Sequence, residues 1–124
     1  MAKKILVIDD DVQFLEMMQM VLEDAGYEVG TCNDADAAHE LIKEWQPSLV
    51  LLDLRMPGHT GWEILEALEI DPSVRRIPVI FTTAAEDEVR ASEQRPDHWR
   101  FKSLFKPFGI DELLAEVDQT VGAP

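Results

Sequence analysis

The residues able to do chemistry stand at the ends of apolar runs. Asp9, Asp10 and Asp11 close Lys4-Ile5-Leu6-Val7-Ile8, and Asp53 closes Leu49-Val50-Leu51-Leu52. Thr83 and Ala84 follow Val79-Ile80-Phe81-Thr82, and Lys106 follows the run from Phe101 to Phe105. These runs are rich in β-formers, so each reactive side chain is delivered to a strand end just before a turn. Taken singly, each has a plain structural reading. Asp53 is a solvated strand-end acid or a helix cap, Thr83 a strand threonine, Lys106 a solvated lysine before a turn, and Asp11 an N-cap. Brought together they make a different set. Carboxylates crowded at one edge repel, and each raises the pKa of the others unless something compensates. A hard cation with oxygen ligands is the natural compensation, and Mg2+ is often held by one or two carboxylates with phosphate and water. A carboxylate can also act as a nucleophile. The pair that joins Asp53 reads as Asp9 and Asp10; a register one residue later would make it Asp10 and Asp11.

The formal net charge is -14, from 25 acidic against 11 basic residues. That balance argues against a nucleic-acid surface, which needs a basic patch, and against an anionic membrane surface. It suits an acidic cleft around a divalent cation. Cys32 is the single cysteine, so no intramolecular disulfide forms and a reducing compartment is expected. Cys32 itself reads as a small buried apolar residue. The run Ile5 to Ile8 is too short for a signal peptide, and no stretch is long enough to span a bilayer. A cytoplasmic protein is expected. At 124 residues the chain fits one domain, taken as residues 1–121, with residues 122–124 as a tail or the start of a linker.

Helical patterns alternate with the strands. Asp10 or Asp11 caps a first helix with Phe14, Leu15, Met18, Val21, Leu22 and Ala25 at helical spacing, ended by Gly26; Met17, Met18 and Met20 are core and flank. Glu28 to Cys32 is a second strand. Asn33 or Asp34 caps a second helix with Ala38, Leu41, Ile42 and Trp45 on one face, stopped by Pro47. Gly61 to Ile70 is a third helix with Leu65 and Leu68 inward, and Asp71-Pro72-Ser73 is a turn. Pro78 to Thr83 is the fourth strand. Glu86 to Gln94 has only Val89 as a sizeable apolar residue, so a helix there lies exposed, ended by Arg95-Pro96-Asp97. Phe101 to Phe105 is the fifth strand, and Asp111 caps a last helix with Leu113, Leu114, Val117 and Val121 in a stripe. Five strand–helix repeats predict a parallel sheet with right-handed crossovers and helices on both faces. The expectation is an α/β, flavodoxin-like (βα)5 doubly wound sandwich in the order 2-1-3-4-5. In that order strands one and three lie about 4.8 Å apart, and Asp9 and Asp53 converge at the switch point where open α/β sheets bind ligands.

An acidic cluster after strand one, D-x-x-M-P-x-x-x-G from Asp53 to Gly61, Thr83-Ala84 after strand four and Lys106-Pro107-Phe108 after strand five occur in that order. Together they resemble the receiver domain of bacterial two-component response regulators, of the chemotaxis-regulator type, over nearly the whole chain. The strand order above is the one the resemblance implies. It further implies that Asp53 accepts a phosphoryl group and that Asp9 and Asp10 hold Mg2+ with Asp53 and the backbone carbonyl of Arg55. Thr83 and Lys106 would contact the phosphoryl oxygens, Ala84 would leave room for them, and Lys106-Pro107 is often a cis peptide in the family. The implied donor is a histidine kinase or a histidine phosphotransfer protein. The implied output is a downstream protein bound at the face of the fourth helix, fifth strand and fifth helix, by a monomer or weak homodimer that acts on no other substrate.

The sequence departs from the family in three places. Ser103 stands where an aromatic residue usually switches rotamer; Phe101 and Phe105 share its strand face and read as core residues. Trp99-Arg100 replaces the usual Gly-Ala before the fifth strand, with Trp99 either a cover for the core edge or an exposed partner contact. Arg55 and Ala85, the positions two after the acceptor and two after the threonine, offer no side chain suited to orient an attacking water, so a long-lived aspartyl-phosphate is expected. Three other functions compete. A phosphohydrolase would carry an acid where Arg55 stands. A flavodoxin-like carrier would need a Gly- or Ser/Thr-rich phosphate loop after strand one. A degenerate receiver would serve as a docking module only. His59 reads as a solvated loop residue, and His39 and His98 have no metal-ligand spacing.

Overall fold

The computed structural model describes residues 2–91 and 101–123. Its sheet is built from β1 (Lys4–Ile8), β2 (Glu28–Cys32), β3 (Leu49–Leu52), β6 (Val79–Thr83) and β7 (Lys102–Phe105), all parallel, in the order β2-β1-β3-β6-β7. That is the 2-1-3-4-5 order expected of the flavodoxin-like sandwich. A hairpin of two short strands, β4 (Arg55–Met56) and β5 (His59–Thr60), turns at Gly58 with φ of 77° and was not foreseen. β3 and β6 are buried along their whole length, because helices cover both faces and no position can be polar and solvated.

The two faces have separate apolar clusters. Ile5, Val7, Leu49, Leu51, Ile80 and Leu104 point to α1 (Val12–Asp24) and α5 (Ile110–Val121). Leu6, Ile8, Val50, Leu52, Val79 and Phe81 point to α2 (Ala35–Trp45) and α3 (Gly61–Glu69). The alternation follows from the two-residue period of a strand. α4 (Glu86–Ala91) contributes Val89 to the second cluster; the predicted continuation to Gln94, the Arg95-Pro96-Asp97 stop, His98 and Trp99-Arg100 lie outside the described residues. Cys32 is buried and free, Met18 is buried, and Met17 and Met20 are exposed.

Caps place the helices as the sequence suggested, with one correction. Asp11 caps α1 by accepting from the amides of Gln13 at 3.0 Å and Phe14 at 3.3 Å. Asp34 caps α2 through the Asp36 amide, and Gln46 ends α2 in a left-handed conformation before Pro47. Asp111 does not cap α5. That helix begins two residues earlier than a cap at Asp111 would place it, at Ile110, with Gly109 as an N-cap that makes no side-chain bond. Asp111 lies within its first turn, where its charge still favours the positive end of the helix dipole.

α3 begins in contact with the β3 exit. The Gly61 amide donates to the Leu54 carbonyl at 2.7 Å. A Cβ at Gly61 would stand 2.7 Å from the Asp53 carbonyl oxygen and 2.8 Å from Phe81 Cε1. We therefore expect Gly61→Ala to destabilise the fold by about 1–3 kcal/mol in urea denaturation, the reverse of the gain alanine gives at an unencumbered helical position.

Candidate functional site

The sheet register sets the site. Ile8 pairs with Leu52, and the Asp53 amide donates to the Ile8 carbonyl at 2.9 Å while the Asp9 amide donates to Cys32 at 3.0 Å. Asp9 and Asp53 thus leave neighbouring strands side by side. One carboxylate oxygen from each of Asp9, Asp10 and Asp53 lies within 4.8 Å of the others. Asp9 and Asp53 are buried and Asp10 is exposed. Asp11 is occupied at its cap and lies outside the cluster, so the alternative pairing of Asp10 with Asp11 does not match the geometry.

Among the described residues, one cation faces this cluster. Thr83 pairs with Phe105 across β6 and β7, and the Lys106 amide donates to the Thr83 carbonyl at 2.9 Å. The Lys106 ammonium lies 2.7 Å from Asp9 Oδ2. Asp9 Oδ1 accepts from the Asp11 amide at 2.9 Å, so both Asp9 oxygens are engaged. Asp53 is left with one long contact, 3.5 Å from the Arg55 amide. Burial first, and then the Asp9 charge, push the Asp53 carboxyl up to about 6, against the opposing pull of Lys106 and the Arg55 amide. The Thr83 hydroxyl oxygen accepts from the Ala85 amide at 3.0 Å, which leaves its own proton to donate. Ala84 is exposed, and Lys106-Pro107 is cis. Three hard oxygen donors, crowded and under-neutralised, are the donor set a divalent cation of the Mg2+ kind takes.

Residues 5–118 match the family profile described as "Response regulator receiver domain". The chain belongs to the response regulator receiver family. It is 36% identical over 120 residues to the phosphate regulon transcriptional regulatory protein PhoB of Klebsiella pneumoniae, covering 94% of this chain and 51% of that one. The chain thus spans about half the length of the curated relatives it matches. Among solved structures it is similar to the receiver domain of a signal transduction histidine kinase from Syntrophus aciditrophicus, with a TM-score of 0.83, 27% identity and coverage of 97% of this chain and 90% of that one. The chemotaxis protein CheY4 of Vibrio cholerae, at 24% identity and a TM-score of 0.85 over 97% of this chain and 99% of that one, shares its fold.

Four features of this receiver were not read from the sequence. Arg55 engages Glu88 of α4: its Nε donates to Glu88 Oε1 at 2.7 Å, and Nη2 reaches the same oxygen. Phe14, read as a stripe residue of α1, lies under the Lys106 ammonium at 4.0 Å from the ring centroid. Ser103 pairs with Phe81, and the aromatic mass near it comes from elsewhere. Trp62, Phe81 and Phe101 form a mutually edge-on trio with centroids 4.8, 5.3 and 5.2 Å apart. Phe101 is in the core margin as expected; Phe105 is half-buried and joins neither apolar cluster of the described residues, because it ends an edge strand. His59 is more tied than a solvated loop residue, with Nε2 2.5 Å from Asp36 and Nδ1 3.4 Å from Glu63. Apart from His59 with Glu63, four residues apart, these contacts join residues far apart in sequence, which periodicity does not report.

The Asp53 carboxyl gives a prediction with a definite sign. Its folded value, about 6, exceeds the unfolded one, near 3.9. The folded state therefore binds the extra proton, and stability from this group is fully present below about pH 4 and lost as pH rises through about 6. In metal-free buffer, Asp53→Asn should be more stable than wild type by about 1–3 kcal/mol at pH 7.5, with the gap closing at pH 4. Paired urea titrations at the two pH values check it.

Proposed function

We propose that this receiver is a phosphoacceptor switch in which Asp53 takes a phosphoryl group from a phosphohistidine donor. The observation that carries the reading is the cluster of Asp9, Asp10 and Asp53 within 4.8 Å, faced by the Lys106 ammonium 2.7 Å from Asp9. An Asp53 oxygen attacks phosphorus. The new P–O bond forms as the P–N bond breaks, and its electron pair leaves with the imidazole nitrogen. Such transfer depends on positioning and charge neutralisation more than on bond-making groups. Asp9, Asp10, Asp53 and the Arg55 backbone carbonyl would hold Mg2+, which when bound supplies positive charge to the carboxylates and to the phosphoryl oxygens. Lys106 then neutralises a phosphoryl oxygen, the Thr83 hydroxyl donates to another, and Ala84 keeps that space open.

Family membership implies a histidine kinase as partner and a switch rather than a turnover enzyme. We assign residues 1–121 to the receiver and residues 122–124 to a tail or linker, place the protein in the cytoplasm, and allow a histidine phosphotransfer protein as an alternative donor. No described helix is long and apolar enough to cross a membrane. The added phosphoryl charge would bias a two-state equilibrium and change the binding of a downstream protein at the α4–β7–α5 face, with the domain a monomer or weak homodimer. Relatives of twice this length carry DNA binding or transcriptional regulation in their names; a net charge of -14 opposes direct nucleic-acid contact by this domain. Arg55, a cation held by Glu88 where a general acid is needed, argues against the phosphohydrolase reading.

Intact mass after incubation with acetyl phosphate tests the proposal. One added phosphoryl group is expected, dependent on Mg2+ and absent in Asp53→Asn. Label that persists beyond minutes after donor removal is expected from Arg55 and Ala85. No gain in a folded wild type would leave only the docking-module role.

A further inference from the structure

Lys106 has two anchors of different kinds. Its ammonium sits 2.7 Å from Asp9 Oδ2 and 4.0 Å from the centroid of the Phe14 ring. A lysine stem is long and flexible, so the position of its charge depends on what holds the ammonium. Asp9 is an unreliable holder if the phosphoacceptor reading is right. The same carboxylate is claimed by the divalent cation, and oxygens that turn to the metal no longer hold Lys106. An aromatic face has no such conflict, because it attracts a cation through its quadrupole and binds no hard metal.

We propose that Phe14 is a positioning residue that keeps the Lys106 ammonium at the site when Asp9 is committed elsewhere. This inference rests on the phosphoacceptor reading. The placement of the ring supports it. The Phe14 amide is tied to the Asp11 cap at 3.3 Å, so the acidic segment that supplies Asp9 also sets the ring. Phe108, two residues beyond Lys106, braces Phe14 edge-on, with centroids 6.2 Å apart at 85°. Phe14, Met17, Lys106, Pro107 and Phe108 line one cavity of about 270 Å³. Such an apolar wall lowers the local dielectric and strengthens the attraction between ring and ammonium. Leu15, Met18 and Leu22 are the buried residues of α1, and Phe14 packs half-buried at the margin of the same cluster.

The test grades the ring's electrostatics at nearly constant shape. Phe14 is replaced by mono-, di- and trifluorophenylalanine, and by Leu, Tyr and Trp, and each protein is phosphorylated with acetyl phosphate and Mg2+. We expect Phe14→Leu to slow phosphorylation by about 3- to 10-fold, Tyr and Trp to keep the wild-type rate within about 2-fold, and fluorination to slow it stepwise. The Lys106 side-chain methylene and ammonium resonances should show a ring-current shift that Phe14→Leu removes. A rate that stays flat across the fluorinated series, or Lys106 resonances unmoved by Phe14→Leu, would overturn the proposal. A wild type that gains no phosphoryl group under the same conditions would instead overturn the phosphoacceptor reading itself.

Discussion

Among the described residues, three carboxylates share one end of this sheet with a single ammonium, and much of the local structure follows from that imbalance. Like charges brought out of water need partners, and a buried charge left without full pairing is costly. Asp9 takes both the Lys106 ammonium and the Asp11 amide. Asp10 remains in solvent. Asp53 is both buried and nearly unpaired, and its raised pKa records the cost. The register of β1, β3, β6 and β7 keeps these groups together, because a one-residue slip in a fully buried strand would move every core side chain to the opposite face.

The unbalanced edge is a poor feature for stability and a useful one for a switch. Under the proposed function a cation would relieve the repulsion, and a phosphoryl group would then rebuild negative charge around it. Each step changes the charge next to elements with few buried contacts. α4 offers Val89 to the core margin, and its Glu88 holds Arg55 from the β4–β5 hairpin. That exposed ion pair contributes little stability of its own, so it can be exchanged at little cost. The Trp62–Phe81–Phe101 trio lies between α3 and the β6–β7 edge. It gives this receiver a packed aromatic connection where Ser103 cannot supply one.

Most of the sheet was legible in the sequence because burial on both faces forces uninterrupted apolar runs. The strand ends were legible for a related reason: polar residues such as Asp9, Asp53 and Lys106 first become tolerable where the cover of helices stops. Asp11 and Asp34 were readable as caps, since a short acceptor before a helical pattern satisfies orphan amides. The start of α5 was not. Gly109 takes the extended cap conformation, and the acid at 111 drew the boundary two residues too late. Contacts between exposed elements also escaped. Phe14 with Lys106, and Arg55 with Glu88, depend on how helices settle over the sheet edge, and helical spacing says only which face is buried.

The central claim is that the crowded carboxylates form one cation-dependent unit with Asp53 as its titrating member. Calorimetric titration of the wild-type domain with Mg2+ at pH 7.5 and pH 5 tests it directly. With Asp53 titrating at about 6, the account predicts binding at pH 7.5 and roughly tenfold weaker binding at pH 5, where about a tenth of Asp53 remains ionised. Equal affinity at the two pH values, or no binding at either by a folded domain, would contradict it.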